Sequence, residues 1–155
     1  EYDKAVDYQK QRLTLSRMIQ DRQGEGQSLG SLGMIYFALE DYDRAIDYQY
    51  QALEISQMTK TRSEEAIILC NLGNVLIQTE SYEKSLDCLQ KSLGICADID
   101  DPYTEAQALK GLAEIYKNLG NDKLANHYCT EAISIASNLK IPFLEDCLEL
   151  KKSII

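Results

Sequence analysis

The residues that could carry nucleophilic or metal chemistry are a single histidine, His127, and five cysteines. A zinc site needs thiolate and imidazole ligands grouped at short, regular spacing, whereas these cysteines occur singly, without a Cys-x-x-Cys pair. A catalytic histidine needs a positioned nucleophile or carboxylate, and no such constellation is recognisable. The sequence therefore predicts no catalytic residue, no metal site and no cofactor. Three of the five cysteines replace residues at packing positions of the repeat, which instead predicts small buried thiols in a reducing compartment. The five are Cys70, Cys88, Cys96, Cys129 and Cys147.

Carboxylates and glycines do not form a site of another kind. Acidic residues such as Asp43 and Glu83 fall in the first turns of predicted helices, where they complement the positive end of the helix dipole. No close cluster of oxygen ligands is present, and the 8 glycines are dispersed rather than grouped in a phosphate-binding loop. We therefore predict that the chain is not an enzyme.

The charge balance excludes further classes of partner. The chain has 25 acidic and 16 basic residues, a net charge of −9, and no basic stripe of the kind that binds nucleic acid. It contains no apolar run of about eighteen residues and no charged-then-apolar leader. We predict no nucleic-acid binding, no membrane span and a cytoplasmic location. Because the chain begins at Glu1 and enters a repeat at once, we expect a fragment of a longer protein.

The elements that carry these residues repeat at a fixed period. Tyr-Asp-Lys-Ala, Tyr-Asp-Arg-Ala and Tyr-Glu-Lys-Ser begin at positions 2, 42 and 82, a spacing of 40 residues, and Asp-Lys-Leu-Ala begins a fourth copy at position 122. Leu-Gly recurs at 32–33 and 72–73, with Leu-Ala at 112–113. Self-similarity at such a period is the signature of a repeat array.

Apolar residues three to five apart predict an amphipathic helix in each half of the repeat. Asp41, Ser81 and Asp101 are predicted N-caps, Thr61 and Glu64 form a predicted capping box, and the glycines of segment 21–26 favour a tight reversal. Eight helices and no strands are predicted, at about residues 2–20, 27–39, 42–59, 61–79, 82–97, 102–119, 122–138 and 142–153.

The repeat resembles the tetratricopeptide repeat, in which a large apolar residue, Leu-Gly, Tyr and then Ala recur. The period of 40 rather than 34 is similar to that of kinesin light chains, of the spindle-orientation adaptors named for Leu-Gly-Asn, and of bacterial signalling proteins. The resemblance implies an all-α, right-handed superhelical solenoid of antiparallel helix pairs. It divides the chain into a half repeat (1–20), three repeats (21–59, 60–99, 100–139) and a capping helix (140–155).

Small residues mark the positions where the two helices of a unit approach closely. A mid-helix glycine costs about 1 kcal/mol relative to alanine, so we attribute these glycines to close packing of the second helix on the first. Tyrosines at the repeat period are predicted to be core residues for the same reason. The small positions are Gly33, Gly73 and Ala113 in the first helices and Ala45 and Ala125 in the second.

The resemblance implies a binding surface in the concave groove formed by the first helix of each unit. There the amides of Asn71 and Asn74, one turn apart, can each donate to and accept from a peptide backbone. Lys110 and Lys117 are placed to receive acidic side chains. A carboxylate clamp is not expected, because only Asn71 matches that variant of the family. The predicted groove residues are Met34, Asn71, Asn74, Gln78, Lys110, Glu114 and Lys117.

The sequence thus predicts a non-enzymatic module that binds a peptide or helix of a partner protein. Three alternatives remain open at this point. The groove can be a solvated polar helix face without a ligand. The array can act as a spacer or self-associate through its terminal faces, because the first helix leaves apolar residues such as Val6 and Leu13 to be covered. It can also be the regulatory arm of a multidomain signalling protein.

Overall fold

A computed structural model describes residues 2–154 as a stack of helices, with no strand in that range. Two residues lie outside the described range: Glu1, the first residue of the predicted segment 1–20, and Ile155, the last residue of the predicted segment 140–155. The predicted all-α class and the number of helices are confirmed. The helices are α1 (Tyr2–Met18), α2 (Arg22–Ala38), α3 (Tyr42–Thr59), α4 (Arg62–Gln78), α5 (Tyr82–Ile99), α6 (Pro102–Asn118), α7 (Asp122–Leu139) and α8 (Phe143–Lys152).

Consecutive helices pack side by side as three complete pairs, α2 with α3, α4 with α5, and α6 with α7. We call α2, α4, α6 and α8 the first-type helices, and α1, α3, α5 and α7 the second-type helices. Each second-type helix also contacts the first-type helix that follows it, and α4 contacts α6 directly. The core is therefore continuous from pair to pair along the stack rather than gathered at one centre.

All seven turns between helices have the same backbone geometry. One residue in each turn has a positive φ, between 53° and 73°. The next residue donates its N–H to the carbonyl five positions earlier, at 2.8–3.4 Å, which is the Schellman closure of a helix C-terminus. Only one of the seven left-handed positions is glycine, so packing of the flanking helices holds the other six there despite a cost of about 1–2 kcal/mol each. The seven are Gln20, Glu40, Lys60, Glu80, Asp100, Gly120 and Lys140.

The prediction of a reversal over residues 21–26 is wrong. The Asp21 side chain accepts a hydrogen bond from Gly24 N at 2.9 Å, so α2 begins at Arg22 and both glycines of the segment lie inside it. A Cβ on Gly24 would overlap the carboxylate of the capping Asp21 and would lie 2.8 Å from Ser16 Oγ of α1. The glycine is therefore required by crowding against the N-cap side chain and against α1, and not by a turn.

All four predicted residues occupy the N-cap position of their helices, but only the acidic ones make the side-chain capping bond. Asp41 and Asp101 each accept a hydrogen bond from a backbone N–H in the first turn of their helix. Thr61 and Ser81 make no such bond. The Thr61 hydroxyl instead pairs with Thr59 Oγ1 at 2.9 Å, so a competing side chain two residues earlier prevents the capping box.

Tyrosines stack within a pair, but only where both helices are present. Tyr36 lies on Tyr48 with ring centroids 5.4 Å apart, and Tyr116 lies on Tyr128 at 5.6 Å. Tyr8, at the position of Tyr48, is 67% exposed, because no first-type helix covers that side of α1 among the described residues. The prediction that Tyr8 is a core residue is therefore wrong.

The apolar residues exposed on α1 are also not the predicted ones. Val6 and Leu13 are buried and pack in the same core cluster as Leu29 of α2. The exposed apolar side chains of α1 and of the turn that follows it, besides the tyrosines, are Leu15, Met18 and Ile19.

The small residues of the repeat lie where paired helices meet. A Cβ on Gly73 of α4 would lie 2.6 Å from Leu89 Cγ of α5, and one on Gly33 of α2 would lie 2.6 Å from Gln49 Nε2 of α3. Ala113, Ala45 and Ala125 are fully buried. At each of these positions a side chain of the opposite helix fills the space between the two helices, so a larger residue would not fit.

Replacing Gly73 by leucine is expected to destabilise the fold. Leucine favours helix more than glycine does, but its side chain must displace Leu89. Such overpacking costs about 1–3 kcal/mol. At this chain length each kcal/mol lowers the melting temperature by about 2–4 °C. Thermal denaturation followed by circular dichroism measures the shift. Gly94→Leu is the matched control, because a Cβ on Gly94 meets nothing within 4 Å. Equal melting temperatures for the two variants would refute the packing account.

One buried carboxylate joins α1 to α2. Glu25 is 6% exposed and accepts hydrogen bonds from Arg17 Nε at 2.8 Å and Arg22 Nη1 at 2.9 Å. The hydrogen bond from Arg17 lowers the pKa of Glu25 below its ordinary value of 4.5, against the opposing effect of burial. The ionised form is therefore the one that the folded protein stabilises.

Glu25→Gln is expected to lower stability in a pH-dependent way. Because the folded-state pKa is depressed, the contribution of the carboxylate is present above about pH 4.5 and is lost as the pH falls through the folded-state pKa. Both arginines are half exposed and screened by solvent, so we expect a loss of about 1 kcal/mol at pH 7. The difference in melting temperature from the unmodified protein should shrink as the pH falls below about 4.5 and through the lowered pKa of Glu25. A difference independent of pH, or one equalled by the exposed control Glu54→Gln, would contradict this assignment.

Candidate functional site

Three adjoining cavities lie along the first-type helices. The first, here called the apolar cavity, has a volume of about 650 Å³ and lies between α1, α2 and α4. Its lining is mostly aliphatic or backbone, with polar groups at the rim. The lining residues are Gln9, Arg12, Gly26, Gln27, Gly30, Ser31, Met34, Ile35, Glu64, Ile67, Ile68 and Asn71.

The second cavity is rich in side-chain amides, and we call it the amide cavity. It has a volume of about 320 Å³ and lies between α2, α4, α6 and the start of α8. Six of the seven residues that the sequence predicts for the groove line it. The lining residues are Met34, Phe37, Asn71, Asn74, Gln78, Gln107, Lys110, Glu114 and Phe143.

The third cavity, the charged cavity, contains the seventh predicted residue, Lys117. It has a volume of about 360 Å³ and lies between α6 and α8. No ion pair of Lys110 or Lys117 with an acidic side chain occurs within residues 2–154. The lining residues are Lys110, Glu114, Lys117, Asn118, Asp146, Glu149, Leu150 and Ser153.

Shared residues make the three cavities one surface. Met34 and Asn71 line both the apolar and the amide cavity, and Lys110 and Glu114 line both the amide and the charged cavity. We call this continuous surface the groove. Its chemistry changes along the stack, from aliphatic beside α1, through neutral amides on α4, to charged side chains on α6 and α8.

The two predicted asparagines lie in different surroundings. Asn74 Nδ2 donates a hydrogen bond to Cys70 Sγ at 3.7 Å. The other amide atom, Asn74 Oδ1, lies where a Cβ on residue 111 would be only 2.8 Å away. Asn74 therefore occupies a slot that exists because Gly111 has no side chain. Asn71 is partly exposed, and its side chain has no hydrogen-bond partner among the described residues. Its amide is thus available to a ligand.

The cysteine on this face of α4 is buried beneath the groove. Cys70 is 1% exposed and lies beneath Asn74. Burial raises the pKa of the Cys70 thiol to about 12. All five cysteines are buried, and burial likewise raises the pKa of Cys147, to about 11.

Sequence reasoning missed most of the apolar cavity. One of its residues is Gly30, and the equivalent residues of the next two repeats are Cys70 and Lys110. The only sequence signal of the cavity was therefore the absence of a side chain at this repeat position. Its rim crosses three helices. Arg12 Nη2 of α1 donates to Gln27 Oε1 at 2.7 Å, and Gln27 Nε2 of α2 donates to Glu64 Oε1 of α4 at 2.9 Å.

Within residues 2–154, neither the histidine nor a group of metal ligands forms a site outside the groove. His127 is on α7, does not line the groove, and lies 3.7 Å from Glu131 through its Nε2, with both side chains about half exposed. No group of three or more potential metal ligands occurs in the part of the chain that the structure describes. Within the same residues, no helix is long and apolar enough to cross a membrane.

The fold and the groove define the chain as a helical repeat scaffold with one continuous groove along its first-type helices. The tetratricopeptide repeat profile matches residues 1–58 and 64–138. Because this match covers most of the sequence, the chain belongs to the tetratricopeptide repeat family, as its repeat predicted. Members of this family form scaffolds for protein–protein interaction and are in general not enzymes.

Solved structures share the same fold at low sequence identity. BtubC (BKLC) from P. vanneervenii has a TM-score of 0.86 and 18% identity, over 99% of this chain and 65% of that chain. The apo form of RapI has a TM-score of 0.82 and 18% identity, over 99% of this chain and 43% of that chain. A putative kinesin light chain from P. anserina, with nearly identical TPR-like repeats, has a TM-score of 0.75 and 14% identity, over 98% of this chain and 76% of that chain.

These likenesses show the fold alone. The chain spans less than two thirds of the length of the first two structures. No curated protein sequence matches it.

The thiols beneath the groove are expected to resist alkylation in the folded protein. The thiolate is the reactive form, and with a pKa of about 12 only about one Cys70 thiol in ten thousand is ionised at pH 8. The folded protein and the urea-denatured chain are treated with iodoacetamide, and the adducts are counted by intact mass spectrometry. The folded protein should carry no carbamidomethyl adduct at the time when the denatured chain carries five. Rapid labelling of Cys70 in the folded protein would contradict its burial.

Proposed function

We propose that this chain is a non-enzymatic binding module that holds an extended peptide or a helix of a partner protein in the groove. The observation that carries the proposal is the row of amides on α4, where Asn71 is partly exposed and has no hydrogen-bond partner among the described residues. An amide both donates and accepts, so it can pair with the N–H and C=O of a peptide backbone. The contact therefore suits a polypeptide backbone and needs no particular sequence.

The side chains around this amide support the same function. Met34, Gln78, Gln107 and Glu114 line the amide cavity beside it, and all of them except Met34 carry hydrogen-bonding groups. Lys110 and Lys117, without acidic partners in the described range, are placed to pair with acidic residues of the ligand. We propose that these contacts set the register of the partner and that its backbone supplies most of the hydrogen bonds.

A second candidate is self-association or stacking on further repeats. The exposed apolar side chains on α1 favour it, because Tyr8 and Leu15 are 67% and 57% exposed whereas Tyr48 and Ile55, one repeat later, pack in the core. In this case the array is a spacer and the groove is not used. Either activity is compatible with a regulatory arm of a longer signalling protein, and we place the protein in the cytoplasm.

The double variant Asn71→Ala, Asn74→Ala is expected to lose the partner. An unpaired buried backbone group costs about 1–3 kcal/mol, so the loss of two amides should weaken binding at least about tenfold. The tagged chain and the variant are incubated with native lysate, and retained proteins are quantified by mass spectrometry. The matched control is Asn126→Ala, Asn138→Ala on α7, which removes two amides outside the groove.

The outcomes separate the two candidates. Proteins retained by the unmodified chain and by the α7 control, but not by the groove variant, support groove binding. The same set retained by all three proteins overturns it. A mass that rises with concentration in sedimentation equilibrium, and that Leu15→Glu prevents, would support self-association instead.

A further inference from the structure

The apolar cavity has features that the backbone-binding function does not require. Two aliphatic side chains on its walls, Met34 and Ile67, are 40% and 44% exposed, and neither can form a hydrogen bond to a peptide backbone. Its volume of about 650 Å³ lies within the range of cavities that enclose a ligand group. The cavity is therefore suited to an apolar group from outside the chain.

Gly30 keeps the cavity open. A Cβ on Gly30 would have only Ala52 Cβ within reach, at 4.0 Å, so no neighbouring side chain requires a glycine here. This differs from Gly33 and Gly73, where a Cβ would meet the opposite helix at 2.6 Å. The equivalent positions of the next two repeats carry the side chains of Cys70 and Lys110, whereas Gly30 adds no side chain to the cavity that it lines.

The rim of the cavity carries one charge of each sign on opposite walls. Arg12 belongs to α1 and Glu64 to α4, and Gln27 between them is hydrogen bonded to both. Neither forms an ion pair with an oppositely charged side chain in the described range. A ligand that fills the cavity therefore meets a positive group on the α1 side and a negative group on the α4 side.

We propose that the apolar cavity is an anchor site that holds one large aliphatic or aromatic side chain of the bound protein segment. This inference rests on the groove-binding function proposed above. The anchor is flanked by an acidic residue facing Arg12 and a basic residue facing Glu64. Because Met34 and Asn71 also line the amide cavity, the segment continues from its anchor past the amides of α4. A polypeptide can span both cavities, whereas an isolated small molecule would fill only one.

A random dodecapeptide library displayed on phage provides the probe. We expect sequences selected on the unmodified chain to share a large apolar residue, with opposite charges on its two sides. A selected peptide, synthesised and fluorescently labelled, should bind Gly30→Leu at least tenfold more weakly, because the new side chain fills the cavity. Gly94→Leu makes the same replacement in α5 outside the groove, and should bind within twofold of the unmodified chain.

A double-mutant cycle separates cavity filling from general damage. Replacing the anchor residue of the peptide by alanine should weaken binding to the unmodified chain tenfold and leave binding to Gly30→Leu unchanged. Selection on Glu64→Lys should replace the basic flanking residue by an acidic one. Circular dichroism verifies that Gly30→Leu remains folded, as expected for a residue that favours helix more than glycine does.

Failure of the anchor and failure of groove binding give different results. Peptides that bind Gly30→Leu as tightly as the unmodified chain, but lose binding to Asn71→Ala, Asn74→Ala, would overturn the anchor and leave the groove function standing. If no peptide is selected, or if selected peptides bind all variants equally, both proposals are overturned. Selection of peptides without a shared apolar residue would also overturn the anchor.

Discussion

The structure depends on how closely the two helices of each pair approach one another. At Gly73 the space beyond the Cα is filled by Leu89 of the opposite helix, and at Gly33 it is filled by Gln49, so each contact has room for one side chain only. This spacing sets the position of one pair on the next, and therefore the line of the first-type helices that forms the groove. Because stability in such an array is a sum of neighbouring contacts, one widened pair would disturb the binding surface locally.

The repeat period predicted the helices correctly where their bounds depend on local features, namely the apolar spacing and the cap residue. The interval 42–59 was predicted for a helix and α3 occupies it, because both its apolar spacing and its cap, Asp41, are local features. Prediction failed at residues 21–26, since a glycine needed for close packing has the same sequence appearance as one needed for a turn. It also failed at Thr61, where the competing Thr59 hydroxyl decides the outcome.

The groove was predictable in part for similar reasons. Asn71 and Lys110 could be located by counting along a helix from the Leu-Gly marker, and the structure places both in the amide cavity. The apolar cavity could not be found in that way, because Gly30 contributes space rather than a side chain and Arg12 comes from a helix of the preceding unit. A composite site of this kind depends on how neighbouring units pack, which the pattern within one unit does not contain.

The turns have a consequence for how such a chain can change in length. At six of the seven turns the residue that closes one helix through its backbone N–H is also the N-cap of the next: Asp21, Asp41, Thr61, Ser81, Asp101 and Asn121. Each of these residues is a joint with the same geometry, whatever its side chain. Duplication or deletion of a 40-residue segment between two such joints rejoins equivalent backbone on both sides. In the last turn Ile141 closes α7, but the N-cap of α8 is the following residue, Pro142. Closure and cap are therefore on different residues there, and the array is modular up to α7 but not beyond it.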